Sequence, residues 1–305
     1  MLVETQRPVH KCTVRMNKSR NYTKLADRSQ SSSCVTFTVD VENHRAGLAE
    51  PHRYRMMTRR LMDFLEQHGI RGTFFVVAEL VLESPKLIAE IAERGHELAC
   101  HGNQHTPLSR QTPGEFARSL LVAKQRLEAC AGGPVSGFRA PFFSLTPATR
   151  WAVPILADTG FAYSSSVLPG RGFAYGYPGA PRGPFFWPEG VLEIPCPAVR
   201  LGSLALPILG GMYMRWLPPW DWAWMRQRLR HQLLWTYCHP YDIDTAEPFG
   251  RFPGLGWASS FMLWAGRGVT LRRWKKLAKQ AAPPFRDRLA EIAAMARAGP
   301  CREAR

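Results

Sequence analysis

The sequence predicts an α/β fold built around a parallel sheet. Between about residues 34 and 167, short segments rich in β-branched and aromatic residues alternate with amphipathic helical patterns. The segments that join them are short, which indicates successive βαβ units. The 305 residues, 45% of them hydrophobic, provide enough apolar material for one large domain or two ordinary ones. The 25 Gly and 25 Pro favour a loop-rich globular protein over a helical bundle.

The elements of this first half follow one another regularly. Strands are predicted in CVTFTVDVEN (34–43), GTFFVVAEL (72–80), HELAC (96–100), VSGF (135–138) and FAYSSSV (161–167). Helices are predicted in RYRMMTRRLMDFLEQHGI (53–70), SPKLIAEIAERG (84–95), TPGEFARSLLVAKQRLEAC (112–130) and TPATRWAVPILADTG (146–160). The third of these helices has Pro113 in its first turn, where proline is favoured.

Periodicity is weaker after residue 167. Residues 168–191 are rich in Gly, Pro and aromatics, and strand-like segments follow in VLEIPCPAV (191–199) and LLWTYC (233–238). Basic helices are predicted in LRRWKKLAKQ (271–280) and FRDRLAEIAAMARA (285–298). We therefore expect a basic, disordered leader over residues 1–33, a main domain over 34–250 and a basic helical extension over 251–305.

The formal charge of +16 suggests nucleic acid, anionic lipid or an acidic polymer as a partner. Residues 267–280, RGVTLRRWKKLAKQ, contain no acidic residue. This run is either a solvated basic face or a site of attachment to an anionic membrane surface. The sequence contains no recognised nucleic-acid motif, so we expect no specific nucleic acid partner.

The cysteines and the apolar segments bear on location. Seven cysteines, with no C-x-x-C pair, indicate free thiols in a reducing compartment. The N-terminal residues contain no apolar core of a secretory signal, and the longest apolar stretch (201–214) is too short to span a membrane. A cytoplasmic location follows as an expectation, with peripheral attachment to the inner membrane as an added hypothesis.

Polar residues follow the apolar strands at the points where the strands end. In a parallel βα sheet these ends converge on one face, where active sites form. The sequence delivers two carboxylates, three imidazoles and one guanidinium there: Asp40, Glu42, His101, His105, Arg139 and His239.

Each of these residues has an ordinary structural explanation when taken alone. His101 and His105 form an H-x-x-x-H pair, which is most often a surface or capping arrangement, and Asp40 alone is more simply a turn carboxylate. Two imidazoles with one carboxylate, however, form a frequent catalytic metal set that leaves a position open for water. Asp40 and Glu42 supply two candidate carboxylates, one to bind a metal and one to act as a base.

The motifs TFTVDVEN, ELACHGNQHTPL, GFRAPFFSLTP, FAYSSSVLP and WTYCHPYDID resemble, in order, those of the NodB-homology polysaccharide deacetylases, carbohydrate esterase family 4. VLEIPCPAVRL and GGMYMRWLPPW extend the resemblance to the branch found with bacterial exopolysaccharide loci. The resemblance covers residues 34 to about 248. It implies a distorted (β/α) barrel, with basic terminal extensions here, and metal-dependent deacetylation.

The resemblance also implies roles for individual residues. Asp40 matches the general base, and Arg139 matches the arginine that holds it. His101 and His105 match two metal ligands, and Glu42 replaces the usual third carboxylate because Val41 occupies that position. The backbone N–H of Phe142 matches an oxyanion donor, and His239 matches the general acid. The implied metal is divalent, with zinc expected and cobalt or nickel as alternatives.

Two positions depart from the branch. Ser164 and Asn43 occupy positions where the branch carries aspartate. If that first aspartate tunes the acid histidine, then Asp242 or Asp244 would have to compensate. Four tryptophans in one segment, Trp216, Trp220, Trp222 and Trp224, would line a glycan groove or, more often for such clusters, pack in a core or a membrane interface.

The function that this resemblance implies is hydrolysis of N-acetyl groups on a polysaccharide or a lipid-linked glycan precursor, with release of acetate. One alternative keeps the barrel as a glycan-binding protein of impaired catalysis, suggested by Ser164. Another keeps the site but acts on a different amide or ester.

Overall fold

The computed structural model describes residues 34–44, 53–216, 222–229, 232–252 and 254–299. The leader predicted over residues 1–33 lies outside these ranges. The strands are β1 Val35–Val41, β2 Thr73–Val76, β3 Glu97–Cys100, β4 Gly137–Phe138, β5 Tyr163–Ser164, β6 Phe185–Phe186, β7 Leu192–Glu193, β8 Val199–Leu201, β9 Leu204–Leu206, β10 Leu234–Cys238 and β11 Ala281–Ala282. The helices are α1 Arg53–Gln67, α2 Leu80–Glu83, α3 Pro85–Glu93, α4 Pro113–Ala131, α5 Ala152–Asp158, α6 Gly211–Trp216, α7 Trp222–Arg228, α8 Trp257–Trp264, α9 Thr270–Leu277 and α10 Phe285–Arg297.

One sheet organises the chain. Its strands run in the order β10-β1-β2-β3-β4-β5-β7-β6, and β11 adds a second partner to β1. Every pair in it is parallel except β6 with β7. β8 and β9 form a separate antiparallel pair. The sheet curls strongly into a half-barrel, which confirms the predicted distorted (β/α) barrel.

The two faces of the sheet bury two different sets of side chains. Successive residues of a strand point to opposite faces. In β2, Phe74 and Val76 join the core beneath the helices, whereas Phe75 joins the core inside the curl. Helix α1 covers the outer face of the sheet. The side chains that it buries recur at helical spacing and so form one apolar face: Tyr54, Met57, Thr58, Leu61, Met62 and Leu65.

The inside of the curl is filled at its lower end by α10. The ring of Phe285 is fully buried and lies against Phe75, Tyr163 and Trp235. The backbone N–H of Phe285 donates to Oγ1 of Thr73, at the start of β2. Because strands start at the end opposite to their carboxyl termini, α10 closes the end of the half-barrel that lies away from the strand ends carrying the candidate residues.

The segment predicted as a basic C-terminal extension contains α8, α9 and α10, and it also contributes a strand to the main sheet. β11 pairs with β1 at Val35 and Thr36. Trp274 of α9 is fully buried and meets Phe37 edge-on, with ring centroids 5.0 Å apart. The predicted boundary at residue 250 therefore does not separate this segment from the sheet.

Two further findings concern the described part of the chain. Its five cysteines are all unpaired: Cys34, Cys100, Cys130, Cys196 and Cys238. None of its helices has both the length and the apolar character needed to cross a bilayer.

Candidate active site

Four parallel strands place the predicted residues at one edge of the sheet. β1 lies between β10 and β2, and β3 and β4 follow β2. Asp40 and Glu42 lie at the end of β1. His101, Arg139 and His239 directly follow β3, β4 and β10, and His105 lies in the loop after β3. The structure therefore brings together the six polar side chains predicted from the strand ends: Asp40, Glu42, His101, His105, Arg139 and His239.

Arg139 fixes Asp40 inside the protein. Its Nη1 donates to Oδ1 of Asp40 at 2.6 Å and to Oγ1 of Thr38 at 2.8 Å. Its guanidinium is fully buried and lies 3.9 Å from the ring centroid of Phe75 and 4.3 Å from that of Trp235. Cation–π contacts on an arginine with no exposed surface hold it in one orientation. Asp40 is therefore a rigidly held carboxylate with a second oxygen, Oδ2, left for other partners.

Three side chains at the mouth are arranged as a cation site. One potential ligand atom from each of Glu42, His101 and His105 lies within 4.8 Å of the other two. Oε2 of Glu42 is buried and lies 2.6 Å from Nε2 of His105, yet it accepts no well-formed hydrogen bond among the described residues. A buried carboxylate oxygen without a hydrogen bond is costly unless a cation satisfies it. These three side chains therefore fit a divalent metal of the zinc type.

Protonation also favours metal binding. Nδ1 of His101 lies 2.8 Å from the carbonyl oxygen of Arg139, which can only accept, so Nδ1 carries the hydrogen. Nε2 then keeps its lone pair free, and the bond from Nδ1 to a carbonyl orients the ring as in metal-binding histidines. Burial lowers the pKa of His101 to about 4, so the imidazole is neutral at pH 7. Burial alone would raise the pKa of Glu42. The neighbouring His105 instead holds the pKa of Glu42 far below its usual range, so the carboxylate stays charged.

The surroundings of His239 favour its protonated form, as a general acid requires. Its Nδ1 lies 2.8 Å from Oδ2 of Asp242, and its Nε2 lies 3.9 Å from Oε1 of Glu42. Its ring stacks on Tyr241 at 4.7 Å and 7°. Burial alone would lower its pKa, but Asp242 overcomes this and raises the pKa of His239 to about 9. His239 is thus charged at neutral pH, with Nε2 directed toward the Glu42 side of the mouth.

A buried arginine supports this pair from behind. Nη1 of Arg215 lies 2.9 Å from Oδ1 of Asp242, and neither side chain is exposed to solvent by more than 1%. Burial alone would raise the pKa of Asp242, but the ion pair with Arg215 lowers it to about 2. Nη2 of Arg215 donates to the carbonyl oxygen of Leu263 at 2.9 Å. Arg215, Asp242 and His239 thus form a continuous charged chain that ends at the mouth.

The backbone has an unusual conformation at Phe142 and the residue after it. Phe142 and Phe143 have φ angles of 60° and 54°, in the left-handed region that residues with a Cβ rarely adopt. Two adjacent residues in this conformation cost on the order of 1 kcal/mol each, a strain found mainly where function requires it. The ring of Phe142 is 55% exposed and lies 4.4 Å from that of His105. This strained turn therefore borders the candidate metal site.

Residues 27–163 match the family model described as polysaccharide deacetylase. Over this segment the chain is similar to the polysaccharide deacetylases. It contains Asp40, Glu42, both metal-site histidines and Arg139. Residues 165–287 match a second model, described as a domain of unknown function (DUF3473). His239, Asp242 and Arg215 lie in that second segment, so the site is shared between the two.

Curated relatives match within the deacetylase segment. The chain is 36% identical over 111 residues to a chitooligosaccharide deacetylase of Bradyrhizobium sp. (strain ANU 289), covering 36% of this chain and 48% of the relative. It is 27% identical over 96 residues to a peptidoglycan-N-acetylglucosamine deacetylase of Bacillus cereus, covering 31% of this chain and 35% of the relative. The chain thus spans less than half the length of these relatives.

Solved structures extend the likeness of fold beyond the deacetylase segment. A protein from Mycobacterium smegmatis assigned to the polysaccharide deacetylases superposes with a TM-score of 0.55 at 20% identity, over 87% of this chain and 90% of the other. Puue allantoinase superposes with a TM-score of 0.53 at 15% identity, over the same shares of the two chains. At this level of identity the likeness shows the distorted barrel fold alone.

Ser164 occupies the position where the branch that the sequence resembles carries aspartate, and its side chain bonds within its own segment. Oγ of Ser164 donates to Oγ of Ser166, whose backbone N–H donates to Glu193. Asp242, one of the two compensating carboxylates proposed from the sequence, contacts His239 directly. The other, Asp244, is instead paired with Arg53 at 2.6 Å.

Sequence reasoning missed Arg215. It lies in GGMYMRWLPPW, a motif quoted only for its resemblance, and a single arginine in an aromatic segment gives no sign of its partner. Of the four tryptophans considered as groove or interface residues, Trp216 and Trp224 are exposed by 47% and 41%. Trp220 and the side chain of Trp222 lie outside the described part of the structure.

Proposed function

We propose that this protein is a metal-dependent deacetylase that hydrolyses N-acetyl groups of a polysaccharide or a lipid-linked glycan precursor and releases acetate. The proposal rests on one observation: a candidate cation site lies at the same end of the sheet as two groups able to transfer protons, Asp40 and His239. Asp40 is held in place by Arg139, and Asp242 raises the pKa of His239 and so favours its protonated form. Hydrolysis of an amide needs both a base and an acid.

The metal site is assigned to Glu42, His101 and His105, with zinc expected and cobalt or nickel as alternatives. A divalent cation bound there would polarise the acetyl carbonyl and make a water molecule more acidic. The protein's own groups then divide the remaining work. Asp40 accepts the proton that the attacking water loses as its oxygen bonds to the carbonyl carbon.

The second half of the reaction depends on Phe142 and His239. The backbone N–H of Phe142 donates to the oxyanion of the tetrahedral intermediate, a contribution of roughly 3 kcal/mol for one good donor. When the C–N bond breaks, Nε2 of His239 donates its proton to the departing nitrogen. The products are acetate and a free amine, and without this proton the leaving group would be an amide anion.

Arg215 is assigned a supporting role in this scheme. It keeps Asp242 ionised, and Asp242 keeps His239 protonated and correctly oriented. The geometry also bears on the alternative of a glycan-binding barrel of impaired catalysis, which was suggested by Ser164. Because Asp242 supplies the carboxylate that Ser164 lacks, we favour an active enzyme.

Three further assignments accompany the proposal. The substrate is a glycan, in keeping with the similarity to polysaccharide deacetylases and with the names of the chitooligosaccharide and peptidoglycan deacetylases that the chain resembles. A role in exopolysaccharide synthesis is proposed from the sequence motifs. A cytoplasmic location, peripheral to the inner membrane, is proposed from the cysteines and basic segments.

The proposal is tested by acetate release from an N-acetylglucosamine oligomer, with zinc or cobalt added to purified protein. The wild type should release acetate, and Asp40→Asn should lose at least about 10²-fold in rate because a general base is removed. Asp63→Asn provides the matched control, since Asp63 is half exposed on α1 and distant in sequence from every site residue. Equal rates for Asp40→Asn and the wild type would refute the assignment of the base, and turnover only on other amides or on esters would change the substrate.

A further inference from the structure

Helix α8 exposes the side chains that a helix normally buries. Its sequence is WASSFMLW, and its one fully buried residue is Ser260. Trp257 is 63% exposed, Phe261 47% and Met262 42%. Hydrogen bonds to the preceding segment, rather than burial of apolar side chains, hold the helix in place. Oγ of Ser260 accepts from the N–H of Phe252, and Nε1 of Trp264 donates to the carbonyl of Glu247.

The exposed apolar side chains form one continuous surface. Phe249, 42% exposed, has its ring 5.9 Å from that of Trp257 and 6.0 Å from that of Phe261. Trp216, 47% exposed, lies 6.3 Å from Phe261. We call this set the aromatic surface: Trp216, Phe249, Trp257 and Phe261. Exposed apolar side chains that cluster in this way mark sites of association.

The charge of the flanking chain indicates what the aromatic surface contacts. Residues 248–280 contain seven basic residues and no acidic residue. On α9, the helix that follows α8, Arg272, Lys275 and Lys276 are exposed. Large aromatic side chains beside Lys and Arg are the composition of segments that lie in the interface of an anionic bilayer. Tryptophan in particular is enriched at that depth.

The aromatic surface is connected to the candidate active site by short contacts. Nε1 of Trp216 donates to the carbonyl of Met262, and Nη2 of Arg215 donates to the carbonyl of Leu263, each at 2.9 Å. Arg215 in turn holds Asp242, which contacts His239. Two side chains, those of Arg215 and Asp242, therefore separate the backbone of α8 from His239.

We propose that the aromatic surface docks the protein onto an anionic membrane, with the exposed basic residues of α9 attracting the lipid headgroups. The mouth of the site then lies close to the bilayer surface. Resting on the proposed function, this assigns the substrate to the class of lipid-linked N-acetylated glycans, whose sugar projects from the bilayer within reach of His239.

The test is flotation of the full chain with vesicles of phosphatidylglycerol and phosphatidylcholine at physiological salt. The wild type should bind these vesicles and bind phosphatidylcholine alone much more weakly. The double variant Trp257→Ser/Phe261→Ser should lose about tenfold or more in partition coefficient, because its apolar contact with the acyl boundary is removed. Lys275→Glu/Lys276→Glu should reduce binding to the anionic vesicles by a similar factor.

Matched controls test whether loss of vesicle binding is specific to the side chains of α8. Leu82→Ser/Leu121→Ser changes two exposed leucines on α2 and α4, which are 66% and 51% exposed, and should bind vesicles like the wild type. Equal losses in this control and in Trp257→Ser/Phe261→Ser would overturn the assignment to α8. Wild-type protein that remains unbound would overturn the proposal outright. A third outcome would also overturn it. If Trp257→Ser/Phe261→Ser bound vesicles like the wild type but converted a dimer to a monomer, the aromatic surface would be a contact between two copies of the protein.

Acetate release from a water-soluble oligomer separates this proposal from the proposed function. Trp257→Ser/Phe261→Ser should keep the wild-type rate on that oligomer and lose rate on a lipid-linked N-acetylglucosamine presented in anionic vesicles. Retained rate on both would overturn the substrate class. Vesicle binding by a wild type that releases no acetate from either substrate would overturn the deacetylase while leaving the docking surface supported.

Discussion

Asp242 binds His239 twice. Its Oδ2 accepts the backbone N–H of His239 and lies equally close, at 2.8 Å, to the ring Nδ1. The backbone bond fixes the turn after β10, and the ring bond fixes the imidazole on that turn. One carboxylate oxygen therefore sets both the position and the charge of the proposed acid.

Weakening the support for this carboxylate should impair amide hydrolysis selectively. Arg215→Lys loses the guanidinium that bonds Asp242 and Leu263, so we expect the rate on an N-acetyl amide to fall by about 10²-fold. A para-nitrophenyl acetate ester has a good leaving group that needs no proton, and its rate should change by less than about threefold.

Steady-state kinetics on both substrates make this comparison. The matched control is Arg150→Lys, because Arg150 forms a more exposed ion pair with Glu189. Equal losses on amide and ester in Arg215→Lys would indicate a merely structural role for Arg215.

Metal content should separate the ligands from the base. His101→Ala removes a buried imidazole whose Nε2 lone pair is free, so purified protein should lose most of its bound metal. Asp40→Asn should retain metal while losing turnover, because Asp40 is paired with Arg139 and is not one of the three clustered donors. Elemental analysis by mass spectrometry provides the measurement, with His68→Ala, in the turn after α1, as a control. Full metal content in His101→Ala would exclude the ligand assignment.

The raised pKa of His239 predicts a pH dependence of stability in metal-free protein. Its pKa is about 9 in the folded chain against an ordinary value of 6.5. Its contribution is therefore complete below pH 6.5 and is lost as pH rises through about 9. The change amounts to as much as about 3 kcal/mol in the free energy of unfolding. Urea titrations from pH 6 to 10 should show this decline, and His239→Gln should lack it. A wild-type stability that stays level across that window would contradict the charged state inferred for His239.

Removing the floor of the half-barrel should destabilise the whole fold. Phe285→Ala deletes a fully buried ring between β2, β5 and β10, so the free energy of unfolding should fall by about 3–5 kcal/mol. Met295→Ala, on the same helix but 40% exposed, should cost less than about 0.5 kcal/mol. Chemical denaturation measures both variants. A Phe285→Ala protein as stable as the wild type would show that residues after 250 are a dispensable extension.

The parallel sheet and the meeting of its polar ends could be predicted because both follow from local rules. An apolar strand such as TFTVDV must be buried, and a carboxylate at its end has only the sheet edge to occupy. The same reasoning applied to HELAC and LLWTYC placed His101 and His239 correctly.

Other features depend on packing that the sequence does not display. The ladder of β11 rests on two alanines, which have no strand signal of their own. The run RRWKKLAK suggests a solvated face, yet its Trp274 is a core residue, because one buried tryptophan suffices to dock a helix that is basic elsewhere. Arg215 meets Asp242 across 27 positions of the chain, and only the fold specifies that contact.

The ring of Phe285, packed among Phe75, Tyr163 and Trp235, closes the end of the half-barrel that lies away from the candidate site. We therefore expect substrate and products to enter and leave through the one opening at the strand ends. Acetate formed at the bottom of that opening would then have to escape past the sugar that released it, so we expect acetate to slow turnover and the larger product to leave first.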